Sequence, residues 1–420
     1  MKKNIAFFVL IFIFGNSFAD LEVSHTVGIG AKSYGMANNF VAVSNDQSAL
    51  FYNPAGLAFV PAREFQISID GLSQKSISEF NNSKDYSFPI QRPRMANIGY
   101  MHAFPTVQGG FTMSGALLCP VIFDESRKFT GTYLDKSNNV IRVSRELRSF
   151  GGLNYWDGGF GLQIAKGLGV GVSGAFVSGK EEGHTVFYQD TNGRIGDPYN
   201  DDYDQYYIRN YLGYDIRLGL MYNFSEHYAI GLRVNIPQTL WFSEEVSETY
   251  PHSPLEPEYI SESRGKLISS YSGAAGFSCM FPFLTASCEF RIRAPYSFVA
   301  PAENIPIESD AAKVKIGAGA GIEIPLILST TLLRFGYSWD QYDTYPFARK
   351  YSDEKNIYFD SEAKSAFIDS HLLTAGLGFI IKNVCLETAY GYNFWSLDTR
   401  GTLKENYNQQ RLIVTFSIRF

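Results

Sequence analysis

The stretch QRLIVTFSIRF at the end of the sequence sets Leu412, Val414, Phe416, Ile418 and Phe420 on one face and Arg411, Thr415, Ser417 and Arg419 on the other. Alternation with period two and one apolar face predicts a β-strand. The same pattern recurs upstream. Tyr214, Ile216, Leu218, Leu220 and Tyr222 oppose Asp215, Arg217 and Asn223, and Tyr228 to Ile236 oppose Arg233 and Asn235. Only Ser225-Glu226-His227 separates these two runs, which is the spacing of a hairpin. Leu284 to Ile292 oppose Glu289, Arg291 and Arg293; Val314 to Ile324 oppose Lys313, Lys315 and Glu323; Leu333 to Trp339 oppose Arg334 and Asp340.

The connections alternate as well. Short turns are expected near Pro105, Lys166-Gly167, Glu226, Pro282, Pro325 and Lys382-Asn383. Between them lie long polar segments at 73–92, 123–147, 188–209, 245–263, 298–311 and 342–365, with a shorter one at 398–405. Short turns on one side and long loops on the other are the layout of an outer-membrane barrel. Fourteen strands fit between these connections, from 64–72 to 406–420, the third covering 107–122. The expected fold is therefore all-β: a fourteen-stranded antiparallel transmembrane β-barrel over 63–420, with both termini on the short-turn, periplasmic side.

The first residues fit that compartment. Lys2 and Lys3 precede an apolar run from Ile5 to Phe14, and Ser17-Phe18-Ala19 follow before Asp20. This is the arrangement of a signal peptide over residues 1–19. No later apolar run approaches the roughly 20 residues of a transmembrane helix. Aromatic residues make up 15% of the chain, with 34 Phe and 27 Tyr, and there are 38 Gly. Aromatic girdles and small lumen-facing residues use both. The formal charge of −6 lacks the basic balance of a nucleic-acid binder.

Candidate chemistry is sparse. The six histidines are scattered without ligand spacing, so no metal site is expected. No Gly-x-Ser-x-Gly motif occurs, and Gly28-x-Gly30 neither follows a strand nor completes a dinucleotide fingerprint. The acidic tract DTNGRIGDPYNDDYDQYY lacks a glycine at the EF-hand offset and reads as a solvated loop. Neither an enzyme nor a cofactor is expected. Cys279 and Cys288 flank the turn at Pro282; they either pair across it or face lipid as small apolar residues.

Residues 20–62 precede the first strand. A barrel of this size encloses a lumen too wide for its own side chains to fill, so this segment is expected inside the barrel as a plug. Ser48 to Tyr52 suit a helical turn that Pro54 stops, because the residue before proline disfavours helix. The run GIGAKSYGMANNFVAVSNDQSALFYNPAGLA resembles the N-terminal hatch of the FadL/TodX family, outer-membrane channels for long-chain fatty acids and aromatic hydrocarbons. Gly28, Gly30, Ala31, Gly35, Ala42, Asp46 and Asn53-Pro54-Ala55 carry the resemblance, and Asn38-Asn39 depart from it. The strand ending at Phe420 is similar to the signal by which the barrel-assembly machinery recognises such proteins.

The resemblance implies passive uptake of hydrophobic small molecules through the outer membrane of a diderm bacterium, surrounded by outer-membrane lipid and lipopolysaccharide. It implies a hatch gated around Asn53, Pro54, Ala55 and Gly56, and lateral exit through a gap in the wall. A gap needs a strand that stops pairing. Gly109, Gly110 and Pro120 mark the third strand as the candidate, although Pro120 could equally end that strand at the outer loop. A fatty-acid carboxylate would seek a lumen cation, and Arg217, Arg233, Arg291, Arg293, Lys313, Lys315 and Arg334 all fall on inward faces, most of them expected to pair with neighbouring carboxylates. The alternative reading is a secretion accessory, similar to the FadL-related barrels that bind exported cargo in the type IX system.

Overall fold

A computed structural model describes residues 27–80, 83–87, 90–134, 140–191, 203–249, 258–269, 271–294, 297–299, 314–326, 330–344, 366–399 and 403–420. The expected signal peptide and Lys313 lie outside these residues.

The described strands form one antiparallel sheet that closes on itself. The wall consists of β1 (Glu64–Phe80), β2 (Ser83–Tyr86 and Ile90–Phe104), β3 (Phe111–Ile122 continuing as Glu125–Leu134), β4 (Val140–Ala165), β5 (Leu168–Thr191), β6 (Tyr203–Asn223) and β7 (Tyr228–Thr249). It continues with β8 (Glu258–Ile268 and Ser272–Phe281), β9 (Leu284–Arg293 and Ser297–Val299), β10 (Lys315–Leu326), β11 (Thr331–Thr344), β12 (Ala366–Ile381), β13 (Val384–Thr399) and β14 (Leu403–Arg419). Counting the two-part strands once gives fourteen. Closure is made by β1 against β14, in register from Glu64–Arg419 to Phe80–Leu403, so the first and last strands leave no open edge between them.

Alternation assigns the two faces. Along β14, Arg411, Ile413, Thr415 and Ser417 are buried, whereas Leu412 is 50% and Phe416 37% exposed. Asp215 and Arg217 of β6 are likewise buried, and Tyr214, Leu218 and Leu220 face out. An apolar outer face with polar groups inside is the inverse of a soluble protein and suits a hydrocarbon surround. Among the described residues no helix is long and apolar enough to cross a membrane.

Two expectations need correction. First, several of the polar segments assigned to loops carry strand where they are described: β1 runs on to Phe80, β3 resumes over Glu125–Leu134, and β5 and β7 reach Thr191 and Thr249. Where a strand rises beyond lipid its outer face no longer has to be apolar, so the hydropathy signal fades while backbone pairing continues. Second, β3 begins at Phe111, not 107. Gly109 adopts φ 75° in the preceding turn, and the Gly110 carbonyl accepts from the Gln163 N–H at 2.8 Å. Cys279 and Cys288 are both free thiols. They are not opposite one another, since Cys279 faces Ala286 and Cys288 faces Phe277.

Residues 27–62 hydrogen-bond to side chains or backbone on β2, β3, β5, β6, β7, β8, β9, β11, β12 and β14. Only a position inside the ring reaches so many strands.

Candidate functional site

The N-terminal segment folds as two short helices, α1 (Ala31–Gly35) and α2 (Ala49–Tyr52), followed by a 3-10 turn at Pro54–Phe59. Pro54 stops α2 as its sequence predicts. Asn53 caps the turn: its Oδ1 accepts from the Ala55 N–H at 3.1 Å, and its Nδ2 donates to the carbonyls of Val41 at 2.8 Å and Leu220 at 3.2 Å. All four residues of the Asn53–Gly56 motif are buried. The wall opposite is flattened to receive them, since a Cβ at Gly219 of β6 would collide with the Asn53 amide.

Asn38 and Asn39 have uses that small residues could not supply. Asn38 takes a left-handed φ of 62°, which asparagine tolerates, and its Oδ1 accepts from the Tyr52 hydroxyl at 2.7 Å. That hydroxyl accepts in turn from the Ile29 N–H. Burial pushes the Tyr52 phenol up to about 12, so it remains a donor. Asn39 spans to the wall, donating to the Tyr337 carbonyl and accepting from Arg291 at 3.1 Å.

Above this floor lies a cavity of ≈ 220 Å³ lined by Phe51, Tyr52 and Asn38 below and by Tyr155, Arg217 and Arg233 of the wall. Most inward cations are satisfied, as intramembrane charges generally are. Arg217 pairs with Asp157 at 2.5 Å and with Asp215, and lies 4.7 Å from the Phe51 ring centre. Arg291 pairs with Asp340 at 2.9 Å and donates to Ser338, and Arg293 shares Asp340 at 2.9 Å. Arg334 is wholly buried between Glu323 and Glu387, each at 2.6 Å. Lys315 is buried and lines the cavity. Arg233 differs: among the described residues it donates only to the carbonyls of Phe51 at 3.3 Å and Tyr52 at 3.4 Å, and its buried Nε has no partner there.

One feature escaped the sequence reading. Phe123, Leu153, Tyr155, Tyr211, Leu240 and Phe242 are buried inward-facing residues that cluster with Leu50 of the segment, giving the lumen an apolar flank where a polar one is expected. Phe80, Phe129, Val143 and Phe187 form a second cluster further along the strands, towards the long connections. The available signal was a lapse in alternation: Leu240-Trp241-Phe242 and Val121-Ile122-Phe123 place apolar groups on both faces.

The wall is interrupted at β3. Pairing of β2 with β3 runs from Phe104–Phe111 to Asn97–Leu118 and goes no further among the described residues, although β2 continues against β1 up to Ile90. On its other side β3 shifts register against β4 between Leu118 and Val121. The break thus falls at Cys119-Pro120, where proline has no N–H to give. The strand itself runs on through Pro120 to Ile122, so Pro120 interrupts the pairing without ending the strand. The Val27 N–H reaches the Pro120 carbonyl at 2.8 Å. Arg94 and Asp124 face each other across the gap at 3.8 Å, and Asp70 accepts from both Arg94 and Arg411. Arg411 in turn donates to the carbonyls of Val27 and Gly28. A second irregularity, at Gln238 of β7, is held shut, since Gln238 and Ser269 exchange hydrogen bonds at 2.8 Å in both directions.

No protein-family model and no curated protein sequence matches the chain. Solved structures do. A Pseudomonas aeruginosa FadL homologue superposes with a TM-score of 0.61 at 12% identity, covering 93% of this chain and 98% of its own. The Pseudomonas putida toluene transporter TodX gives 0.59 at 14%, covering 94% and 99%. This chain has the FadL/TodX-type fold. The Ralstonia pickettii toluene transporter TbuX matches over the same shares with a TM-score of 0.58 at 14% identity, so the FadL/TodX-type resemblance extends through nearly the whole barrel.

Proposed function

We propose that the chain is an outer-membrane channel for hydrophobic small molecules such as long-chain fatty acids. Ligand enters from the outer surface along the apolar flank marked by Phe242, Tyr211 and Tyr155 and rests in the cavity above Phe51 and Tyr52. The N-terminal segment acts as a hatch, with Asn53-Pro54-Ala55-Gly56 as its docking point, and the exit lies sideways through the β3 break. The carrying observation is that an inward apolar flank, a cavity and a wall interruption meet on one segment, whose Val27 bonds to Pro120. The FadL homologue and the toluene transporters of the same fold support hydrophobic cargo. Both termini are periplasmic in this reading, and Phe420 is the end offered to the assembly machinery.

The test is uptake of radiolabelled oleate by cells producing the protein, before and after a bifunctional thiol reagent ties a cysteine at Met95 to the native Cys119. Uptake should fall when the seam is tied and recover when a cleavable linker is cut. Undiminished uptake would remove the lateral exit. A secreted protein, instead of lipid, retained in native mass spectrometry would favour the secretion-accessory role.

A further inference from the structure

We infer that the outer part of β3, Glu125–Leu134, is a movable strap on the lumen side of the wall, and that it forms an outer gate in series with the N-terminal segment. This rests on the channel reading above and adds to it a control over entry.

The placement of the strap is the first ground. Along outer β1 the buried residues Ser76, Ser78 and Phe80 continue the inward set of Asp70 and Leu72. Asp85 and Ser83 of β2 stand directly opposite Ser78 and Phe80, so they take the lumen face as well. The strap touches these lumen faces instead of lining up beside β2. The Ser76 hydroxyl donates to the Ser126 carbonyl at 3.1 Å, and Thr130 donates both its N–H and its hydroxyl to Asp85 at 2.7 Å. Further over, the Arg127 guanidinium lies 5.2 Å from the Tyr407 ring centre of β14. The strap thus crosses behind β2 and β1 as far as β14.

What holds it is the second ground. Its ladder to β4 runs from Glu125–Ser149 to Leu134–Val140. Towards β1, β2 and β14 it forms no ladder among the described residues, only side-chain bonds and ring contacts. A strand edge needs backbone partners in hydrocarbon, whereas water serves it beyond the lipid. The strap can therefore leave β1 and β2 while staying paired to β4. The bend that sends it inward lies at Phe123-Asp124. There the Phe123 N–H donates to the carbonyl of Gly151, whose φ of 133° is open to glycine. Asp124 fastens the bend by accepting from the Gly151 N–H at 3.1 Å.

What it closes is the third ground. Phe129 packs on Phe80, with ring centres 5.5 Å apart, in a buried cluster with Val143, Phe187 and Leu403. These side chains come from β1, β3, β4, β5 and β14, which an open round lumen would keep apart. Their knot shuts that sector of the outer mouth, as the N-terminal segment shuts the floor. The cavity lies between the two.

The experiment uses the full chain carrying Ser83→Cys and Thr130→Cys together, at positions whose hydroxyl oxygens are 3.4 Å apart and so within reach of a disulfide. Each substitution alone is a control, and heat-dependent mobility on a gel verifies a folded barrel. The pair should form a disulfide on mild oxidation. Cellular uptake of radiolabelled oleate should then fall severalfold, recover with dithiothreitol, and stay constant in both controls. Loosening the strap gives the converse. Ser126 is buried, so a water-soluble maleimide should label Ser126→Cys slowly, and about tenfold faster once Asp85→Ala removes two hydrogen bonds from the strap. Failure of the disulfide to form refutes the placement. A disulfide that leaves uptake unchanged, or labelling that Asp85→Ala does not accelerate, makes the strap a fixed part of the wall and overturns the inference. In these cases the channel reading stands. Absence of oleate uptake by the native chain refutes the channel reading itself, and the outer gate with it.

Discussion

Val27 donates its backbone N–H to the carbonyl of Pro120 at 2.8 Å, which joins the N-terminal segment to the one place where β3 loses its partner β2. Gly28 makes this approach feasible: its φ of 76° is open to glycine and strained for other residues, and a side chain there would meet Asn38 and Tyr52. Gly28→Val should therefore lift the segment from the seam without unfolding the wall. Liposome-swelling rates with small solutes should rise, while resistance of the barrel to heat in detergent stays unchanged.

Asn53 makes three hydrogen bonds from a fully buried position. Asn53→Ala leaves the Val41 and Leu220 carbonyls without that donor, at about 1–3 kcal/mol. The cost falls on docking of the segment, since the wall is paired strand to strand regardless. Limited proteolysis should cut residues 27–62 faster in Asn53→Ala, and Gly219→Ala should behave alike because its methyl enters the same space. Equal protection of native and variant segments would refute this.

Much of this arrangement was legible in the residues. Leu412, Val414, Phe416 and Ile418 gave away the lipid face of β14, and Arg217, Arg291 and Arg334 were assigned inward by the same alternation. The turn stopped at Pro54 could also be read directly. What could not be read was depth. Phe129 and Phe187 lie on strands that rise past the hydrocarbon, where polar residues on the outer face made the chain look like loop. Nor could alternation separate Arg233 from its neighbours, because it reveals which face a cation takes but not which carboxylate comes within reach across strands. Pairing of Arg334 with Glu387 depends on contact between residues 53 positions apart in sequence.

Arg334 and Arg233 should part company in stability. Replacing Arg334 by Met strands Glu323 and Glu387 in the buried interior, a loss of about 3–5 kcal/mol for a broken buried pair. Arg233→Gln strands no carboxylate. Urea unfolding in lipid vesicles should show a large drop for the first variant and little change for the second.

The apolar flank is open to a direct challenge. The Tyr211 ring packs at a tilt against both Phe123 and Phe242, with centroids 5.3 Å and 6.2 Å away. Phe242→Asp places a charge where ligand must slide. Oleate uptake should fall severalfold at unchanged barrel abundance, and Phe242→Leu should be close to native.

The orientation of the two faces underlies every step, and tryptophan fluorescence reports on it. Trp156 and Trp241 point outward at 58% and 48% exposure, whereas Trp395 is 5% exposed and stacked on Tyr407. In vesicles of brominated phospholipid, variants retaining a single tryptophan should be strongly quenched at positions 156 and 241 and hardly at all at 395. Quenching at Trp395 with Trp156 and Trp241 left bright would contradict the account.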